Sequence, residues 1–314
     1  MSGDAISIIK ESWNPSTFRQ YSTYMKQWLS YCQQENISPV EWSIPDGINF
    51  LTKLFTEKGL GYSAMNTARS ALSVIMHNPD GSTFGNNHLV KKLLRGMFKL
   101  RPAIPKYTCT FDAQIVLQYL SGLGDSFSIP FKSLSYRLAT LFCLLSGQRD
   151  QTLSAIDVRF ISLTEDRVIC YISKILKTTR PTFHQSPIDF RSYPLCDSIC
   201  PVKNMQAYLS RSFKLRGPFV KLFISHTEPH SPVTVSTISR WVKETLKLAG
   251  INTDIFSSHS TRSAAVSKAK SLGLSISEIN RAAGWSNSRT FGLHYNKPII
   301  DINFGRTLVS DELI

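Results

Sequence analysis

Apolar residues return every three or four positions through most of this chain. They alternate with polar ones only in a short central stretch, which predicts helices around a small sheet. Within residues 12–101 the helical period dominates. Asn14-Pro15-Ser16-Thr17 opens a helix with proline in its first turn, and Tyr21, Tyr24, Met25, Trp28 and Leu29 follow at helical spacing. Pro45-Asp46 opens a second helix, carrying Ile48, Phe50, Leu51 and Phe55, and residues 62–77 form a third with Ala68, Leu72, Val74 and Ile75 apolar. A turn at Asn78-Pro79-Asp80-Gly81 leads to a fourth at 87–100, on which Lys91, Lys92, Arg95 and Lys99 share one side. Two prolines in the following stretch, Arg101 to Tyr107, forbid a continuous helix and favour an extended connection.

Beyond residue 110 the pattern is mixed. Residues 134–146 make a strongly apolar helix suited to the centre of a core. Runs at 158–162, 168–172 and 187–190 read as short antiparallel strands, and 219–224 is strand-like. Helical spacing returns at 202–213, 235–248, 260–272 and 275–283, with a short helix near Tyr295. Ser275-x-x-Glu278 is a capping box, and Gly273 and Gly284 stand where helix C-termini favour glycine. The expected fold is mainly α with a small antiparallel β-sheet. It comprises an all-α domain at 1–101, a linker at 102–110 and a mixed α+β domain at 111–314.

Composition narrows the partner. At 314 residues the chain can bury two cores, and 42% hydrophobic against 18% charged residues is a globular balance rather than a disordered one. The formal charge is +14, of which +4 falls in residues 1–101 and +10 beyond, so both parts are basic and a polyanion is the default partner. In the first domain Arg69, Lys91, Lys92, Arg95 and Lys99 are the candidates for phosphate contacts, although such a run is also an ordinary solvated face. Lys174 and Arg180 are the candidates in the second. The six cysteines are scattered, and neither a secretory signal nor an apolar run of membrane length is visible, so reduced thiols in an intracellular compartment are expected. Cys196-x3-Cys200 with His226-x3-His230 imitates a zinc pattern, but the long gap holds a helix and a strand-like segment, and no metal is expected.

Near the C-terminus lies a denser signal. Ser257-Ser258-His259-Ser260-Thr261-Arg262 puts an imidazole and a guanidinium three residues apart, on one face of a helix. Ala283-Gly284-Trp285 adds an indole N–H, Tyr295 a phenol, and Gly147-Gln148-Arg149 a second guanidinium at the end of an apolar run. Together they point to chemistry on a phosphodiester with the phenol as nucleophile. Arg149 and Arg262 would clamp the non-bridging oxygens with planar forks, and His259 would donate to the same phosphate or move the phenol proton. Trp285 would donate to an oxygen and pack, and Tyr295 would become a covalent phosphotyrosine. A lysine of the basic segment Ser173-Lys174-Ile175-Leu176-Lys177-Thr178-Thr179-Arg180 would protonate the leaving oxygen, Lys177 first and Lys174 second. Each residue alone has an ordinary structural reading; their order and spacing carry the weight.

Arg149, a hairpin lysine at 177, His259-x-x-Arg262, Trp285 and Tyr295 resemble the ordered pattern of the tyrosine recombinase, or phage integrase, family, in the branch with Trp rather than His before the tyrosine. Gly147-Gln148-Arg149-Asp150-Gln151-Thr152-Leu153 and Tyr295-x-Lys297-Pro298-Ile299 further resemble recombinases of DIRS-like eukaryotic retrotransposons. The resemblance implies a helical core-binding domain, a linker and a catalytic domain. It implies a 3′-phosphotyrosyl intermediate at Tyr295 and integration of a mobile element through a Holliday junction, with neither metal nor cofactor. Its partners would be duplex DNA at element termini and target, with a dimer on one site, a tetramer in the synaptic complex and no membrane. Localisation would be nuclear. The tail at 296–314, with Phe304, Leu308 and Leu313, would dock on a neighbour or on itself. Two departures stand out: Thr152 occupies a place where many members carry an acid, and the interval from Trp285 to Tyr295 is one residue longer than common. The rival readings are topoisomerase-like cleavage with the same residues, and an inactive DNA-binding protein of the same fold.

Overall fold

The helices expected in the N-terminal part form the first of two units into which the chain divides, Met1–Pro105 and Lys106–Ile314. The computed structural model describes residues 1–77, 80–102, 104, 107–176, 179, 181, 185–285, 289 and 291–299. In the first unit, α1 (Gly3–Glu11) is an addition to the expected elements; Ser2 caps it and none of its residues is buried. Then come α2 (Pro15–Gln34), capped by Asn14, and α3 (Ile44–Thr56), whose start is closed by a capping box between Ser43 and Asp46. They are followed by α4 (Tyr62–Ile75) and α5 (His88–Leu100). Trp28, Phe50, Leu51, Met65, Leu72, Phe84 and Met97 pack into one core. α5 buries Val90, Leu94 and Met97 at helical spacing, which leaves Lys91, Lys92, Arg95 and Lys99 exposed. Arg69 of α4 lines a cleft with Lys91, Arg95, Tyr62, Leu94 and Phe98. Arg101 closes the unit: its Nη1 donates to the Phe55 carbonyl at 2.9 Å and its guanidinium lies 3.9 Å from the Phe55 ring centre.

The second unit is built around one helix. α6 (Ala113–Ser121) precedes α7 (Phe131–Ser146), which is buried on all sides through Leu134, Leu138, Leu141, Phe142 and Leu144. α8 (Asp150–Ser154) follows directly, then three strands, β1 (Ile161–Leu163), β2 (Arg167–Cys170) and β3 (Ile188–Arg191). They form an antiparallel sheet in the order β1-β2-β3, with Ile161 opposite Cys170 and Cys170 opposite Ile188. α9 (Pro201–Ser212), α10 (Val235–Leu248) and α11 (Ser260–Ser271) pack around α7, and α12 (Ile276–Ala283) packs on α11. The fold is thus mainly α with a small antiparallel sheet.

Two strand expectations need correction. The run at 158–162 begins as a 3₁₀ turn, Val158–Phe160, because the Asp157 carboxylate accepts the Arg159 N–H and holds the chain in a turn; the strand starts only at Ile161. The strand-like run at 219–224 makes isolated bridges, Asp157 to Lys221 and Ile224 to Pro232, rather than a strand. The first partner turns away into that 3₁₀ turn, and Pro232 has no N–H to extend a ladder. α6 and α8 were not expected. Both are short, and α8 carries too few residues to show a period. Among the described residues no helix is long and apolar enough to cross a membrane.

Candidate active site

Two glycine turns shape the site. Gly147 ends α7 in the left-handed region, φ +60°, and a Cβ there would touch Val266 of α11 at 3.4 Å. The chain can therefore run close against α11 before α8 begins, and Arg149 sits at the N-cap of α8. Gln148 anchors this turn by donating from Nε2 to the Ala282 carbonyl at 2.8 Å. Gly284, φ +66°, ends α12 in the same way, with the Trp285 N–H on the Asn280 carbonyl at 2.8 Å and the Gly284 N–H on Arg281 at 3.3 Å. That pair of bonds is a Schellman closure. A Cβ at Gly284 would lie 2.5 Å from Gln185 Nε2, so only glycine lets that side chain approach. The closure delivers Trp285 against α11.

His259 and Arg262 come from the start of α11. The Ser260 hydroxyl accepts the Ser257 N–H at 3.0 Å, and the Thr261 hydroxyl donates to the Ser258 carbonyl at 2.6 Å. These bonds curl residues 257–261 and put His259 at the N-cap with helical dihedrals, φ −64° and ψ −23°. Arg262 is only 1% exposed. Its Nη2 donates to the Ala283 carbonyl at 2.7 Å, whereas its Nε and Nη1 are buried without a partner. The guanidinium carbon lies 4.4 Å from the Trp285 ring centre and 5.3 Å from that of Tyr295. The Trp285 and Tyr295 rings are 4.7 Å apart, and the Trp285 Nε1 is likewise buried without a partner. His259 Nε2 is 3.1 Å from the Tyr295 hydroxyl.

The charges closest to Arg262 and His259 are mainly positive. Burial and then the neighbouring Arg149 charge push the Arg262 guanidinium down to about 9, with Tyr295 opposing the shift. It therefore stays charged at neutral pH. Burial, then Arg262 and Arg149, lower His259 below its ordinary value, and Asp150 partly offsets them. A neutral imidazole can accept the phenol proton through its unprotonated nitrogen. By contrast Arg137, another fully buried arginine among the described residues of this unit, is met by the Leu120 and Gly124 carbonyls and the Ser126 hydroxyl, and its Nε alone lacks a partner. Arg262 has one such partner and a like charge beside it, so an anion would complete the site.

Of the residues singled out in sequence, the fold brings Arg149, His259, Arg262, Trp285 and Tyr295 to this one place. Lys177 and Arg180 lie outside the described residues. Lys174 is exposed on the connection from β2 to β3. Residues 300–314 of the tail, with Phe304, Leu308 and Leu313, also lie outside them.

The longer interval before Tyr295 has a local counterpart. Phe291–Tyr295 is a π-helical turn, with the Asn296 N–H on the Phe291 carbonyl at 2.9 Å, and such a turn takes up one residue more than an α turn.

The acid missing at Thr152 has a counterpart too, which the sequence reading missed. The Asp150 carboxylate accepts Ser258 Oγ at 2.8 Å, Ser239 Oγ, and the Cys143 thiol at 3.4 Å. It thereby ties α7, α8 and α10 to the residue next to His259. Thr152 instead faces Gln148, hydroxyl to Oε1 at 3.4 Å.

With this geometry in hand, residues 126–299 match the phage integrase family, and the chain belongs to it. No curated protein matches the chain significantly. Among solved structures, XerH site-specific recombinase bound to difH substrate in a pre-cleavage complex is similar at TM-score 0.61 and 10% identity, over 93% of this chain and 79% of that one. The Tn1549 transposon integrase in complex with transposon right end DNA is similar at TM-score 0.55 and 15% identity, over 81% of each chain. A λ integrase dimer bound to a COC′ core site gives 0.52 and 14%, over 94% of this chain and 75% of that one. At such identities the likeness is one of fold.

Proposed function

We propose that this protein is a site-specific DNA recombinase that cuts and rejoins duplex DNA through a 3′-phosphotyrosyl bond at Tyr295. The observation that carries the reading is the Tyr295 hydroxyl 3.1 Å from His259 Nε2, beside a buried Arg262 whose Nε and Nη1 are both unmatched. In the proposed step Arg149, Arg262 and the Trp285 N–H hold the non-bridging oxygens of one phosphate. The Tyr295 oxygen attacks phosphorus as His259 takes its proton, the bond from phosphorus to the 5′-oxygen breaks, and that oxygen receives a proton from Lys177 or Lys174. An incoming 5′-hydroxyl then reverses the sequence on the phosphotyrosine, which preserves the energy of the broken phosphodiester. The two arginines supply the positive charge that a metal ion supplies elsewhere, so the reaction is proposed to need neither metal nor cofactor.

The finer reading rests on the motifs. Gly147-Gln148-Arg149-Asp150 and Tyr295-x-Lys297-Pro298 support an enzyme of DIRS-like eukaryotic mobile elements. It would integrate the element in the nucleus through a Holliday junction held by four protomers. Residues 1–101 would grip duplex DNA, with Arg69, Lys91, Lys92, Arg95 and Lys99 on phosphates. The test is incubation of wild-type and Tyr295→Phe proteins with nicked duplexes in EDTA, read on a denaturing gel. An adduct with wild type alone supports the reading. Binding by both without any adduct would leave an inactive DNA-binding protein, and relaxation of supercoils without partner exchange would favour the topoisomerase-like alternative.

A further inference from the structure

The chain just past Tyr295 is fastened at several points, and none of them belongs to the phosphate clamp. The Tyr295 carbonyl accepts Ser267 Oγ–H at 2.8 Å, and Ser267 Oγ in turn accepts the Lys297 N–H at 3.1 Å. The Lys297 ammonium donates to the Tyr107 carbonyl at 2.9 Å and lies 3.8 Å from the centre of the Tyr107 ring. The Tyr107 hydroxyl accepts Ser260 Oγ at 3.0 Å. One residue further on, the Pro298 carbonyl accepts the Thr110 N–H at 2.8 Å. These contacts close a circuit on α11: from Tyr295 to Ser267, through Lys297 and Tyr107 to Ser260, and back through His259 to the Tyr295 hydroxyl.

Within that circuit Lys297 is the unusual member. A lysine beside a DNA enzyme's site would ordinarily hold its ammonium out in water or on a phosphate. This one turns inward to a carbonyl and a ring face, and burial pushes its pKa down from the usual lysine value. A cation held by two neutral groups fixes a direction, because the carbonyl lone pair and the ring face each admit it from one side.

We propose that Lys297 is a positioning residue which, with Ser267 and Tyr107, buckles the chain beyond Tyr295 to its own α11. The phenol is thereby aimed at the phosphate held by the same protomer. The inference rests on the reading of Tyr295 as nucleophile. Lys297 touches neither the phenol nor the clamp, so its loss shifts the aim of the phenol without removing a group that contacts DNA at the reacting phosphate.

Its test uses full-length protein and nicked duplex DNA at saturating protein. Lys297→Met is expected to bind DNA within about threefold of wild type and to form adduct about a hundredfold more slowly, the loss that follows from misplacing a reacting group by an ångström. Lys297→Arg keeps the cation and is expected to recover most of that rate, which a merely space-filling role would not require. A mixture of Tyr295→Phe, which has the clamp but no nucleophile, with Arg149→Ala, which has the nucleophile but a broken clamp, is expected to yield no adduct. Full-rate cleavage by Lys297→Met, or adduct from the mixture, while wild type reacts normally, overturns the latch and leaves the enzyme reading standing. Absence of adduct from wild type overturns that reading and this inference together.

Discussion

Arg262 is costly to the free protein. It is a buried cation with one hydrogen bond, stacked on Trp285 beside another arginine. Leaving a buried donor unmatched costs about 1–3 kcal/mol, and an unpaired buried charge costs more. Arg262→Met, similar in length and apolar, should therefore raise the stability of the DNA-free protein by about 1 kcal/mol in thermal melts while cutting adduct formation by about a hundredfold or more. His259 reports the same crowding. Its pKa lies below the ordinary 6.5, so it is neutral at pH 7 and gains its proton only as pH falls through the lowered value. NMR titration of its ring should give a midpoint under 6.5 in the free protein and a higher one with DNA bound, since a phosphate favours the imidazolium. A rise in affinity for DNA on acidification through that midpoint should accompany the shift. Arg149, His259, Arg262, Trp285 and Tyr295, which the fold brings to one place, could be named as candidates from the sequence because residue type and order single them out. Asp150 could not. An aspartate at a helix start looks like any favourable first-turn acid, and nothing in the one-dimensional pattern says that Ser239 and Ser258 will donate to it.

At the scale of elements, the site depends on a few junctions. Asp150 joins the start of α8 to α10 and to the turn before α11, so Asp150→Ala strands two hydroxyl donors and loosens three elements at once. A loss of about 2 kcal/mol is expected, a fall in Tm of roughly 4–8 °C for a unit of this size, with Asp150→Asn milder. Gly284→Ala must adopt φ +66° and meet Gln185, a strain of about 1–2 kcal/mol from the backbone alone. Its expected signature in cleavage assays is loss of rate with the rotated Trp285. Helices with a clear apolar period and explicit caps, such as α3, α5, α10 and α12, were legible, and the Ser275 to Glu278 box formed as its spacing implied. α6, α8 and the run at 219–224 were not, because their conformation is set by what they touch. In that run the Leu222 N–H pairs with the Ile156 carbonyl at 2.9 Å, and the remainder is held by single bridges.

Over the whole molecule, charge and topology divide the work. Excess positive charge on both units favours a phosphate backbone, and the exposed cations of α5 stand opposite the face that builds the core. Reversing two of them, Lys91→Glu with Arg95→Glu, should leave Tm nearly unchanged, within about 0.5 kcal/mol of stability. It should also reduce the salt dependence of DNA affinity by a log–log slope of roughly 2, measured by anisotropy from low to physiological salt. Composition gives a basic globular chain long enough for two cores, but the convergence of Arg149 with residues more than a hundred positions later depends on α7 threading the centre of the second unit, which no local pattern encodes. The central claim is that Tyr295 alone carries the DNA. The most direct measurement is mass spectrometry of protease-digested adduct, from wild-type protein trapped on a nicked duplex. The account predicts a phosphate-linked nucleotide on the peptide containing Tyr295 and on no other tyrosine. Linkage at a different residue, or DNA cut with none attached to protein, would contradict it.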